Sequence, residues 1–180
     1  MKRLAIALAL LAVPGAASAQ FVDELRAGVL AHDIGLFGGN AEDGADINAE
    51  VRFVSPDFLK WAFSPRPHLG ISVNTEGATS QLYFGLTWTA TLFRDVVLRG
   101  DGLFVELSLG GAVHDGEIDT QRLDRKSLGS RVLFREALEI GWAFTPSQSI
   151  SLMLDHMSNA NLAERNEGLD NFGIRYGIKF

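Results

Sequence analysis

Phe172, Ile174, Tyr176, Ile178 and Phe180 alternate without interruption with Asn171, Gly173, Arg175, Gly177 and Lys179. A period of two places one set on each face of a β-strand. The rhythm recurs upstream. Leu25, Ala27, Val29 and Ala31 alternate with positions that include Glu24, Arg26 and His32, and Ile47, Ala49, Val51 and Phe53 with Asp46, Asn48, Glu50 and Arg52. Leu69, Ile71 and Val73 stand opposite His68, Ser72 and Asn74. Leu82, Phe84, Leu86 and Trp88 stand opposite Gln81, Thr87 and Thr89, and Leu103, Val105, Leu107 and Leu109 opposite Glu106 and Ser108. Val132, Phe134, Leu138, Ile140, Trp142 and Phe144 share a face, with Arg131, Arg135 and Glu139 on the other. With Ile150, Leu152 and Leu154 this makes about eight alternating segments, an all-β pattern. The breaks between them are rich in Gly (35–44), Pro (55–67) or charge (115–126).

Which face points outward decides the class of barrel. The polar faces carry Glu50, Arg52, Glu106, Arg131, Arg135, Glu139, Asp155, Arg175 and Lys179. These charges can neutralise one another inside a narrow barrel, with glycines making room. The bulky Phe, Trp, Leu and Ile of the other faces suit a wall in contact with lipid. Closing the sheet leaves no unpaired edge in the membrane. The expected fold is therefore an eight-stranded antiparallel transmembrane β-barrel of the outer-membrane type. A soluble lipocalin-like barrel is the alternative; it must expose those aromatics or bury the charges differently. Phe58, Trp61 and Phe63, in the proline-rich break, read either as an interfacial aromatic cluster or as a small plug.

Met1-Lys2-Arg3, an apolar run from Leu4 to Val13, and Ala17-Ser18-Ala19 make residues 1–19 a secretory signal peptide. Residues 20–180 are then the barrel. The formal net charge is −6, and about −8 without Lys2 and Arg3. That excess of negative charge argues against nucleic acid as a partner. There is no cysteine, so no disulfide framework and no thiolate metal site. His32, His68 and His114 are scattered over different strands and read as lumen-facing polar residues; no metal and no cofactor is expected.

The chemistry concentrates near the end of the seventh segment. His156 and Ser158 are two apart and share the apolar face of Ile150, Leu152 and Leu154. Polar groups on a membrane face are costly and are usually functional. A serine hydroxyl needs a base, and the base needs a third group to orient it. Asp170 has the parity of Phe172 and Ile174 and returns alongside the seventh segment, which makes it the first choice of acid. Glu136, a charge on an otherwise apolar face, is the alternative acid. Asn159 and Asn166 are candidates for oxyanion stabilisation or for ordinary loop chemistry. With the N-terminus periplasmic, an even strand number puts His156 and Ser158 on the outer, lipid-facing side near the extracellular rim.

His156-Met157-Ser158-Asn159-Ala160, followed by Asn166, Gly168 and Asp170 before a final amphipathic strand, resembles the lipid A 3-O-deacylases of the PagL family. The specific motif covers the last twenty-five residues or so; the barrel pattern agrees over the rest. The resemblance implies a serine esterase in the cell outer membrane. It would hydrolyse the ester-linked 3-hydroxyacyl chain at position 3 of lipid A in lipopolysaccharide. Ser158 takes the place of the nucleophile, His156 of the base, and Asn159 and Asn166 of residues shaping the oxyanion site. Asp170 stands where the family commonly has a glutamate, and Glu167 where a proline is frequent. Arg122, Arg125, Lys126 and Arg165 are either contacts for lipid A phosphates or solvated loop charge. Two other readings remain: a small structural or adhesive barrel without activity, and a broader outer-membrane phospholipase, a class that is usually longer.

Overall fold

The computed structural model describes residues 21–180; the signal peptide inferred for residues 1–19 lies outside them. Eight strands follow in order: β1 (Val22–Ala31), β2 (Ala45–Phe53), β3 (Arg66–Asn74), β4 (Gln81–Arg94), β5 (Gly102–His114), β6 (Val132–Thr145), β7 (Gln148–Ser158) and β8 (Leu169–Lys179). Each pairs antiparallel with the next, and β8 closes on β1. The loops 32–44, 75–80, 115–131 and 159–168 lie at the end where β7 finishes and β8 begins.

The alternation of the sequence becomes an inside and an outside. Leu25, Phe84, Leu107, Ile140, Leu152 and Ile174 are exposed on the outer wall, while Glu24, Arg26, Glu50, Arg52, Glu106, Arg135, Glu139, Asp155 and Arg175 are buried within. Buried charge is tolerated only when it is paired, and here the pairing is dense. Arg52 reaches Glu50 at 2.6 Å and Glu106 at 2.7 Å. Arg175 reaches Glu50 at 2.9 Å and Glu139 at 3.3 Å. Arg66 meets Glu24 at 2.7 Å and Glu106 at 2.8 Å, and Arg135 meets Asp155 at 2.8 Å. The Arg135 guanidinium also lies 3.7 Å from the centre of the Tyr83 ring, a cation–π contact. Gly70 and Gly141 make room for the interior aromatics: a Cβ on either would sit within 2.3 Å of the Tyr83 or Phe104 ring.

Apolar outside and charged inside is the reverse of a soluble barrel. No helix among the described residues is long and apolar enough to cross a membrane; the crossing is made by strands. The chain is an eight-stranded antiparallel transmembrane barrel of the outer-membrane type.

Two charges placed in the lumen by parity are elsewhere. Arg131 precedes β6 and is exposed, donating to the Gly116 carbonyl oxygen. The Lys179 side chain is half exposed at the far rim, near Asp23. Both sit at strand ends, where alternation no longer dictates burial. Phe58, Trp61 and Phe63 belong to a 3-10 turn (Asp57–Ala62) and its cap, and all are strongly exposed. Trp88 on the outer wall donates its indole N–H to the Ala62 carbonyl at 2.7 Å. The cluster is therefore an external one, not a plug.

Candidate active site

The register of β6, β7 and β8 brings the candidate residues into rows. Glu136 on β6 is the direct partner of His156 on β7, and His156 is the direct partner of Asp170 on β8. In the next row Phe134 partners Ser158. His156 and Ser158 are both half-buried on the outward face. Glu136 is exposed.

His156 Nδ1 lies 2.5 Å from Asp170 Oδ1. The aspartate reaches despite its short side chain because it is directly opposite the histidine, where antiparallel Cα atoms stand only about 4.5–5.5 Å apart. Asp170 has outward parity, yet it is 1 % exposed. The 32–44 loop covers it. The backbone N–H of Ile34 donates to the Asp170 carbonyl oxygen and that of Phe37 to Asp170 Oδ2, each at 2.7 Å. The Phe37 ring meets the imidazole edge-on, with centroids 5.3 Å apart. Phe37 was not found from sequence. The glycine-rich break around it was visible, but a loop without period carries no signal of what it will touch.

Gly168 also stands against the histidine. Its φ is +66°, and a Cβ there would stand 3.2 Å from His156 Cε1 and 3.9 Å from Ser158 Cβ. The imidazole edge and the serine thus border the same small space, which only glycine leaves open.

Asn159 and Asn166 tie the 159–168 loop together. Asn159 Nδ2 donates to the carbonyl oxygens of Leu128 (2.9 Å) and Arg165 (2.5 Å), using both of its N–H groups. Asn166 Oδ1 accepts from the Asn159 backbone N–H at 2.9 Å, and its Nδ2 donates one bond, 3.0 Å long, to Asn161 Oδ1.

Beneath the loops lies a buried polar cluster. Glu42, 0 % exposed, accepts from the backbone N–H groups of Thr79 (2.9 Å) and Lys126 (3.1 Å) and from Thr79 Oγ1 (3.1 Å), and lies 3.0 Å from His32 Nε2. His32 Nδ1 lies 2.9 Å from Asp46. Burial alone would lower the pKa of His32, but hydrogen bonds to Asp46 and Glu42 outweigh it and raise the ring to about 9. Burial likewise opposes the Glu42 charge, yet the bonds from His32, Thr79 and Lys126 hold its pKa down to about 2. Lys126 is part of this cluster. Instead of being solvated loop charge it is 1 % exposed, with Nζ 2.7 Å from Asp33 Oδ1. Arg122 and Arg165 are exposed and already paired, with Asp124 at 2.8 Å and Asp119 at 3.1 Å.

Comparison with known proteins points to one family. The family described as lipid A 3-O-deacylase (PagL) matches residues 43–179. "Lipid A deacylase PagL" of Bordetella bronchiseptica is 32% identical over 81 residues, 45% of this chain and 43% of that protein. The protein of the same name from Pseudomonas aeruginosa is 31% identical over 81 residues, 44% of each chain. The matched stretch spans less than half of either relative. The crystal structure of the outer membrane enzyme PagL aligns with a TM-score of 0.65 and 19% identity, over 87% of this chain and 99% of that one; it shares the fold. The profile match runs from the loop ahead of β2 through the last strand, taking in Glu136, His156, Ser158 and Asp170, and the chain belongs to the lipid A 3-O-deacylase (PagL) family.

Proposed function

We propose that this protein is an outer-membrane lipid A 3-O-deacylase, a serine esterase with Ser158 as nucleophile, His156 as base and Asp170 as the orienting acid. One observation carries the reading: the 2.5 Å His156–Asp170 contact on the outside of a membrane barrel, with Ser158 next along the same face. Asp170 fixes the tautomer with the proton on Nδ1, leaving Nε2 to receive the Ser158 proton. The serine oxygen attacks the ester carbonyl of the acyl chain at position 3. The ester C–O bond then breaks, and the sugar hydroxyl leaves with the proton held by His156. Water, deprotonated by the same imidazole, cleaves the acyl-enzyme and releases a 3-hydroxy fatty acid. Asn166, which has a second amide N–H to give, is the side-chain donor for the oxyanion. Asn159, its donors engaged, sets the loop geometry. The substrate is lipid A of lipopolysaccharide in the outer leaflet, which places the loop-bearing end of the barrel at the cell surface.

The test is mass spectrometry of lipid A from cells expressing the wild type, Ser158→Ala or His156→Ala. Loss of one 3-hydroxyacyl chain is expected with the wild type alone. Unchanged lipid A in all three, with folded barrels in the membrane, would replace the reading with a non-enzymatic barrel.

A further inference from the structure

We propose that the 32–44 loop is a working part of this site: Phe37 is a positioning residue for the His156–Asp170 pair, and the buried Asp33, Glu42 and Lys126 keep it in place. The inference rests on the esterase reading above and deepens it.

An aspartate held through one oxygen keeps a soft terminal torsion. Here Oδ1 faces His156, and the second oxygen is anchored by the Phe37 N–H at 2.7 Å. The Phe37 ring meets the imidazole edge-on, and Gly168 stands against its Cε1. Acid and base are thus fixed together by one residue from the far end of the sequence.

The loop's own anchorage is unusually costly. Asp33 Oδ2 accepts from the backbone N–H groups of Ala41 (2.8 Å) and Glu42 (3.0 Å), closing the neck of the loop. Asp33 Oδ1 faces Lys126 Nζ, and the Asp33 N–H donates to Asn171, the neighbour of Asp170, at 3.1 Å. Glu42 joins the neck to Thr79 and Lys126 of two other loops. Gly38 packs so tightly that a Cβ would lie 2.6 Å from the Glu167 carbonyl oxygen. Buried ion pairs add little net stability over apolar packing; what they provide here is a fixed place for the loop. Its tip still presents Ile34, Leu36 and Phe37 outward, with Phe37 beside His156.

The experiment uses the full mature barrel in detergent with purified lipid A, comparing Phe37→Ala, Lys126→Met and Lys126→Arg. Phe37→Ala lies at an exposed tip and removes only the ring; Lys126→Met frees the loop's base. Two quantities are read: kcat and KM for deacylation, and the downfield proton resonance of the His156 Nδ1–H in substrate-free protein. Heat-modified gel mobility reports folding. Expected are a fall in kcat of about ten- to a hundred-fold with KM within about two-fold for Phe37→Ala and Lys126→Met, together with loss or broadening of the resonance. Lys126→Arg is expected to recover most of both. Unchanged kcat and an unchanged resonance in folded Phe37→Ala and Lys126→Met would overturn the proposal. A wild type that shows the resonance but deacylates nothing, with the resonance lost in the two variants, would remove the esterase reading and leave the positioning role standing.

Discussion

Glu136 and Asp170 stand on either side of His156 in one cross-strand row, and the imidazole Nδ1 is bonded to Asp170. Geometry therefore ranks the two carboxylates. Asp170→Asn is expected to lower deacylation by about 10³-fold or more, as loss of the orienting acid does in serine hydrolases. Glu136→Gln is expected to lower it less than about ten-fold, because an exposed charge contributes little. Turnover of lipid A by the purified variants checks the order, and the reverse order would make Glu136 the acid.

Gly168→Ala tests the narrow space beside the imidazole. At φ +66° an alanine costs roughly 1–2 kcal/mol, a tolerable loss for the barrel. Its methyl, 3.2 Å from His156 Cε1, pushes the ring aside by a few tenths of an ångström; as a shift of about 1 Å lowers rates about a hundred-fold, a fall of roughly ten-fold is expected. Activity is expected to drop by that factor while the unfolding temperature moves by a few degrees. Activity close to wild type would mean that the ring has freedom the geometry does not suggest.

The cluster around His32 makes the 32–44 loop sensitive to alkali. Its imidazole rises from 6.5 in an open loop to about 9 in the closed one. The stabilisation is complete below pH 6.5 and disappears as pH rises through 9; it amounts to about 3 kcal/mol at most. Glu42, lowered from 4.5 to about 2, acts in the opposite sense: its contribution is present above 4.5 and fades as pH falls through 2. Hydrogen exchange of the loop amides, corrected for the intrinsic rate, should accelerate above pH 9 in the wild type. A flat profile to pH 10 would show that His32 does not hold the loop.

Arg175 is buried between Glu50 and Glu139, away from the reactive row. Arg175→Leu leaves two carboxylates without this partner and is expected to destabilise the barrel by about 3–5 kcal/mol. Urea titration followed by gel mobility measures it. The folded fraction should keep its specific activity.

The wall, the lumen and the pair on β7 could be read from the sequence because they rest on local periodicity. Alternation alone put His156 and Ser158 on the outer face and Arg52 and Glu106 inside. It failed at strand ends, where Arg131 and Lys179 leave the pattern. It was silent on the loops, whose contacts join residues far apart in the chain, as Phe37 joins Asp170. Lys126 shows the limit best: in a run of charges it reads as solvated, and only the arrival of Asp33 beside it makes burial affordable.

The lumen is lined with paired guanidinium and carboxylate groups, and Ser158 stands on the outer wall instead of within it. On the proposed reading, the lipid that meets Ser158 glides in from the side, within the plane of the membrane, and its product departs the same way. Encounter then depends on molecules per unit area, not per unit volume. In mixed micelles, adding inert detergent at fixed bulk substrate should slow turnover, because the enzyme senses a surface and not a solution.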